Sequence, residues 1–340
     1  MAIFITGGTG FLGLNLVRLL VSRQKRVRLL TRATSNRLGL DSDLIEFVRG
    51  DVTDADSVRE AMSGCDQVFH LAGWVQISPW GWRVAWQTNV EGTRNICSAA
   101  LELGVARVVH CSSIAAIGAG TPDEPADEQS AWNLPANRIP YYATKVAAEK
   151  VVLEHVDRGL DAVIVNPTYL VGPWDVRPTS GRLLIQVATQ RLRYYPSRGG
   201  LNFADVRPVA AGHILAMERG RSGERYILGG ENLTYEAYLS RAATIAGVSM
   251  PKLRLPYAGM FPFALAGSVM GRLLPRLFRD MNLSVLRSAF LEHYVSSAKA
   301  ARELGFEVVS IDQAITDAMA WFVEHGYMEL AAEAPRPNPG

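Results

Sequence analysis

The chain has 340 residues, 48% of them hydrophobic, and a formal net charge of +2 at pH 7. It can bury a sizeable core, and at roughly 150 residues per domain the length suggests two domains or one enlarged one. The near-neutral charge gives no general reason to expect a nucleic-acid partner. Three cysteines without a short pairing motif (Cys65, Cys97, Cys111) point to reduced thiols rather than a disulfide frame or zinc site, and no metal is expected.

Ala2 to Ile5 reads as a short buried strand. It begins at residue 2, leaving no room for the charged and apolar regions of a secretory signal, so a cytoplasmic protein is expected. Thr6-Gly7-Gly8-Thr9-Gly10-Phe11-Leu12-Gly13 follows at once and leads into the apolar-periodic run Leu14 to Leu20. A strand, a glycine turn and a helix in that order form a pyrophosphate cradle. Gly7 would supply the tight turn, Gly10 the close approach of backbone N–H groups to phosphate, and Gly13 the close packing of helix on sheet.

Further strands are predicted over Arg26 to Thr31, Leu44 to Val48, Gln67 to Leu71, Arg107 to Cys111 and Ala162 to Asn166. Helical patterns cover Asp54 to Met62, Val84 to Leu103 and Tyr141 to Arg158. The alternation predicts an α/β fold, a Rossmann-type doubly wound parallel sheet with its ligand beyond the carboxyl ends of the strands. After Pro167 the alternation fades into shorter segments punctuated by Pro and Gly. The expected division is a dinucleotide-binding domain over 1–166, a smaller substrate-binding cap over 167–330 with segments returning to the first domain, and a disordered tail over 331–340.

Leu255 to Gly271 is almost wholly apolar, carries Pro256 and Pro262, and is followed by Arg272, Arg276 and Arg279. It falls short of the ~20 apolar residues of a spanning helix. The expectation is a cap helix over an apolar pocket; the alternative is a basic interfacial helix, within 255–279, that touches a membrane peripherally.

Tyr141 and Lys145 stand at i and i+4, on one helical face. A tyrosine of pKa ~10 is a poor proton shuttle at neutral pH, and a neighbouring ammonium would bring it down toward the working range. Without the glycine turn the same pair reads as an ordinary amphipathic couple. Ser112 and Ser113 end the strand Arg107 to Cys111, and Ser113 is the better candidate to hydrogen-bond a substrate oxygen. Thr31-Arg32 ends the second strand, where an acidic residue would bind a ribose hydroxyl and an arginine would accept the extra phosphate of NADP. Between Arg18 and Arg37 there are seven basic residues and no acidic one. Arg18, Arg23 and Lys25 also read as a solvated helix face, so Arg32 carries the expectation of NADP(H), with NAD(H) the alternative.

The glycine turn, Asp51-Val52, His70-Leu71-Ala72-Gly73, Asn89-Val90-Glu91-Gly92-Thr93, Ser113, Tyr141-x-x-x-Lys145 and Asn166-Pro167 occur in the order seen in the extended short-chain dehydrogenases/reductases. The chain resembles their NAD-dependent epimerase/dehydratase group, and within it the dihydroflavonol reductase-like proteins and hopanoid-associated sugar epimerases. The resemblance implies Tyr141 as proton donor or acceptor, Lys145 as its partner and ribose ligand, and Ser113 as second hydroxyl. It also implies a cofactor site of Gly7, Thr9, Gly10, Phe11, Leu12, Gly13, Arg32, Asp51, Val52, Leu71, Ala72, Gly73, Asn89, Ser112, Tyr141, Lys145, Pro167 and Thr168. Trp74, Ser113 and Tyr169 would meet substrate. Pro208 stands where relatives usually carry an acidic residue, which weakens any role carried over to that loop.

The leading expectation is an NADP(H)-dependent reductase of a hydrophobic or aromatic carbonyl compound. The alternative is a nucleotide-sugar epimerase retaining NAD, whose cap would grip a diphosphate through arginines such as Arg177, Arg182, Arg191, Arg193 or Arg207. Trp74, Trp80, Trp82 and Trp86 would wall a flat substrate, or pack in a core or interface. A cofactor-binding regulator without turnover would be expected to lose the Tyr–Lys pair, which is intact here. The resemblance also implies a homodimer through the helices of Asn89 to Leu103 and of Tyr141; Val146, Ala147, Val151 and Val152 would allow the contact, or pack within the chain's own core.

Overall fold

The computed structural model describes residues 2–134, 139–274, 277–278 and 281–329. The expected tail 331–340, Arg276 and Arg279 lie outside them. In the first half, β1 (Ala2–Thr6), α1 (Phe11–Ser22), β2 (Val27–Thr31), β3 (Ile45–Arg49), α2 (Ala55–Met62) and β4 (Cys65–His70) follow in order. Next come α3 (Trp82–Trp86), a π-helical turn (Gln87–Glu91), α4 (Gly92–Glu102), β5 (Arg107–Cys111), a 3-10 turn (Ile114–Ala116), α5 (Pro140–Val156) and β6 (Ala162–Pro167). The expected helix Val84 to Leu103 is thus one run interrupted by a π-turn.

The second half comprises β7 (Tyr169–Val171), α6 (Gly181–Ala188), β8 (Tyr194–Pro196), β9 (Gly200–Asp205), α7 (Val206–Arg219), β10 (Arg225–Leu228) and β11 (Glu231–Thr234). It continues with α8 (Tyr235–Ile245), β12 (Leu253–Leu255), α9 (Tyr257–Met270), α10 (Leu283–Ala289), β13 (Glu292–His293), α11 (Ala298–Leu304) and α12 (Ile311–Glu324).

The main sheet has seven parallel strands in the order β10-β6-β5-β4-β1-β2-β3. Reversal of winding at β1 opens a crevice beyond the carboxyl ends of β1 and β4. The seventh strand comes from the second half: Arg225 to Leu228 pairs in register with Ile164 to Pro167. Its four residues had no strand-length apolar run to announce them, only a short stretch between glycines. The central strands are buried on both faces, as covering helices require, and Val163, Ile164 and Val165 are fully inaccessible. A smaller sheet around β9, with β11, β13 and β7, packs beside this layer.

Packing at the β1–α1 turn leaves no room for side chains. Gly7 has φ +72°, and a Cβ there would lie 2.5 Å from the Ala72 nitrogen; a Cβ at Gly13 would lie 2.1 Å from the Gly7 carbonyl oxygen. Val151 and Val152, two of the expected dimer positions, are buried in the chain's own core, whereas Val146 and Ala147 are half-buried. The Gly13→Ala variant should lose about 1–3 kcal/mol through overpacking. Chemical denaturation measures this, and an unchanged midpoint would show that α1 can move off the turn freely.

Candidate active site

Four adjacent strands deliver the expected residues to one edge. Gly7 to Gly13 follow β1, Leu71 to Trp74 follow β4, Ser112 and Ser113 follow β5, and Thr168 follows β6, whose last residue is Pro167. Arg32 follows β2 and Asp51-Val52 follow β3, farther along the same edge.

The loop after β4 is fixed from beneath by a chain of hydrogen bonds. Thr6 and His70 are register partners on β1 and β4. The Ala72 N–H donates to Thr6 Oγ1 at 3.2 Å, and Thr6 Oγ1 lies 2.7 Å from His70 Nδ1. His70 Nε2 is 3.1 Å from Thr93 Oγ1, which donates to the Asn89 carbonyl at 2.6 Å. Because Thr93 spends its only proton on Asn89, His70 must carry its proton on Nε2 and accept from Thr6 through Nδ1. Burial holds the His70 pKa down at about 3, so the ring stays neutral.

From above, the Asn89 side chain clamps the same loop. Its Oδ1 accepts from the Trp74 N–H at 2.6 Å, and its Nδ2 donates to the Trp74 carbonyl and to Thr144 Oγ1, both at 3.0 Å. Asn89 sits in the π-turn, a helical irregularity that re-aims side chains. Thr144 lies on α5 between Tyr141 and Lys145, so one amide ties the loop to the helix carrying the candidate catalytic pair. Thr6, His70, Thr93 and Thr144 were not singled out as positioning residues; the available signal was polar residues ending the adjacent strands β1 and β4.

Tyr141 is half-buried and hydrogen-bonds Ser113, while Ser112 is buried beneath. Ser113 also caps the 3-10 turn, accepting from the Ala115 N–H at 3.2 Å. Asn166 Nδ2 donates to the Ser113 carbonyl at 3.0 Å and to Glu149 Oε1 at 2.6 Å, bracing the serine from β6 and α5. Lys145 Nζ donates to the Cys111 carbonyl at 2.9 Å.

The expectation that Lys145 lowers the Tyr141 pKa is not met in this arrangement. Burial pushes the phenol well above its ordinary value, and the Ser113 hydrogen bond opposes this only in part. The ammonium is held by Cys111, and burial lowers its own pKa. Tyr141 is therefore a protonated phenol at neutral pH.

The residues fit a dinucleotide. Gly10 caps α1 without a side chain, and the first turn of α1 holds no acidic residue, so the positive helix end faces outward. Thr168 Oγ1 is buried without a hydrogen-bond partner. Arg32 is exposed, its backbone N–H held by Ser35 Oγ at 3.1 Å. Asp51 Oδ1 accepts from the Thr53 N–H and hydroxyl at 3.0 and 2.9 Å, and Val52 is buried against Gly92.

Other expected residues have structural roles. The Tyr169 ring packs edge-on against Phe203 at 5.2 Å and its hydroxyl donates to the Ser180 carbonyl at 2.7 Å, which commits it to the packing. Arg18 is not a merely solvated residue: its guanidinium stacks 3.9 Å from the Trp174 ring and donates to Gly39. Arg207 is taken up by Asp205 and Asp317, and Arg177 by the Thr34 carbonyl. None of the four tryptophans of the 74–86 segment is in the core; Trp82 and Trp86 are exposed, Trp74 folds over Gly81, and Trp80 lies over Gly271.

This chain belongs to the NAD dependent epimerase/dehydratase family, whose model matches residues 3–229. It is 38% identical over 335 residues to a protein of Synechocystis sp. named putative dihydroflavonol 4-reductase, covering 96% of both chains. It is also 36% identical to sterol demethylase protein B of Methylococcus capsulatus, covering 96% of this chain and 99% of the relative. The solved structure of gox2253 superposes with a TM-score of 0.85 at 37% identity, covering 96% of this chain and 99% of the other. The family and the dihydroflavonol reductase likeness expected from the sequence are thereby established, and the chain is an NAD(P)-dependent enzyme of the oxidoreductase type.

Beside His70, His110 is buried with neither ring nitrogen hydrogen-bonded, and burial, reinforced by His70 and Lys145, holds its pKa well below the ordinary value. Above about pH 6.5 the ring is neutral in both folded and unfolded chains. As pH falls below that, only the unfolded chain takes up this proton, and stability is lost. The His110→Leu variant lacks that loss. Its Tm relative to the parent should rise steadily as pH drops from about 7 to about 5; a difference that stays constant would contradict the buried neutral ring.

Proposed function

We propose that the protein is an NADP(H)-dependent reductase of a ketone or aldehyde on a hydrophobic or aromatic small molecule, acting in the cytoplasm. The observation that carries this reading is the Tyr141 hydroxyl hydrogen-bonded to Ser113 just beyond β5, with Lys145 one turn along α5. A carbonyl being reduced needs a proton at its oxygen, and this pair offers a donor and an orienting hydroxyl together.

Gly7 to Gly13 would hold the pyrophosphate, Arg32 the extra phosphate, Asp51 and Val52 the adenine side, and Pro167 and Thr168 the nicotinamide side. When bound, the cofactor supplies the hydride that goes to the carbonyl carbon. Ser113 holds the substrate oxygen, and Tyr141 gives it the phenolic proton. The resulting phenolate is stabilised by Ser113, and by Lys145 once its ammonium turns from the Cys111 carbonyl.

Two relatives carry names built on a sterol and a dihydroflavonol; both are multi-ring compounds rather than nucleotide sugars, which supports a hydrophobic or aromatic substrate. The family's epimerase and dehydratase members favour a second reading, with retained NAD and a nucleotide sugar. Against it, Arg207 is already paired with two carboxylates.

A screen of hydrophobic ketones and aldehydes, read as NADPH oxidation, identifies the substrate class. With an active substrate, Tyr141→Phe should lower kcat by about 10²-fold or more at unchanged NADPH affinity; full activity in that variant would overturn the proton-donor role. Arg32→Asp should weaken NADPH binding by about tenfold or more while sparing NADH, and equal loss for both would remove the phosphate contact.

A further inference from the structure

α9 has no polar face. From Leu255 to Gly271 there is no charged residue, and the α9 side chains turned outward are as apolar as those turned inward. Phe263 is 67% exposed and Leu273, just beyond the helix, 85% exposed; Leu265, Val269, Leu274 and Leu277 continue the patch. Only Ala264 and Gly267 of α9 are buried. Most of the large side chains of the expected cap helix face outward. An isolated exposed leucine is ordinary, but a contiguous patch of this kind marks an interaction site.

The inner side of the same unit rests on the Trp80 loop and on α5. Gly267 packs against the Met281 backbone and Gly271 against the Trp80 ring. The Leu283 N–H donates to Ser268 Oγ at 2.9 Å, joining α9 to α10, and Ser288 of α10 is 3.2 Å from the hydroxyl of Tyr142, the neighbour of Tyr141. Trp80 belongs to the loop that Asn89 clamps at Trp74. The patch is thus the outer surface of a unit that touches the Trp80 loop and α5, the helix carrying Tyr141.

Charge distinguishes the kinds of occupant. Residues 250–279 contain Lys252, Arg254, Arg272, Arg276 and Arg279, and Asp280 is the first acidic residue after them; Arg254 is held by the Ser197 carbonyl and Glu236. An apolar stretch with five cations and one carboxylate on its flanks matches the order of a membrane interface, with acyl chains beneath anionic headgroups. No described helix is long and apolar enough to cross a membrane, and α9, with 14 residues, is short of the ~20 required.

We propose that α9 and residues 272–274 just after it dock in the plane of an anionic lipid bilayer, with Phe263 and Leu273 inserted and Lys252 and Arg272 against the headgroups. Docking brings the Trp80 loop and the helix carrying Tyr141 toward the bilayer, from which an apolar carbonyl compound would enter without crossing water. That consequence rests on the reductase reading; the docking itself does not.

The test is flotation of the full chain with vesicles of phosphatidylcholine, with and without phosphatidylglycerol. The protein should float with the anionic vesicles, stay behind with the neutral ones, and be released by raised salt. Phe263→Glu combined with Leu273→Glu should lower the partition coefficient by roughly tenfold or more, with an unchanged circular dichroism spectrum and NADPH affinity. Failure of the parent to float with anionic vesicles, equal flotation with neutral ones, or unaltered flotation of the double variant would each overturn the proposal. So would a dimer in sedimentation velocity that the double variant dissociates while the parent ignores vesicles, since the patch would then belong to a second copy. Vesicle binding is read without turnover, so its failure leaves the reductase reading standing.

Discussion

The architecture of the candidate site depends on how the backbone after β4 is held. Leu71 and Ala72 pass so close to Gly7 that no side chain fits between them, and a polar chain below and an amide clamp above fix them there. Below, the Ala72 N–H, Thr6, His70 and Thr93 form a one-way series of donors and acceptors. Above, Asn89 satisfies both backbone groups of Trp74 and reaches Thr144 on α5. Buried polar groups left half-satisfied are costly, and fully satisfied networks specify one arrangement. The position of Lys145 beside Gly73 follows from that arrangement rather than from α5 alone.

Much of this was legible in the sequence because strands and helices of the first half alternate with clear apolar runs. The glycine turn and the Tyr–Lys spacing are local patterns, and local patterns survive translation into structure. β10 was less visible, since a four-residue strand borrows its identity from pairing with β6. The π-turn at Gln87 to Glu91 was invisible for a similar reason: the apolar periodicity on either side reads straight through one extra residue. Tyr169 read as a substrate contact from its place after Pro167, yet the direction of its ring was decided by Phe203 and Tyr238, far away in sequence.

Electrostatics were the least legible part. A lysine one turn from a tyrosine suggests a depressed phenol pKa, but the carbonyl of Cys111 competes for the ammonium and burial acts on both groups. The outcome is a proton kept on Tyr141, available to be given rather than taken. Arginines illustrate the same limit: Arg18 and Arg207 are both absorbed by neighbours that no spacing rule foretells, whereas Arg32 stands exposed at the end of β2.

The reductase reading requires the crevice to take up an exchangeable NADP(H) for a reductive half-reaction. The most direct measurement is to denature the purified protein, identify any released nicotinamide nucleotide by mass spectrometry, and test beforehand whether added NADPH exchanges with it. NADP, or a site that readily takes NADPH, is the predicted result. NAD retained without exchange in most molecules would contradict it and turn the reading toward a nucleotide-sugar epimerase.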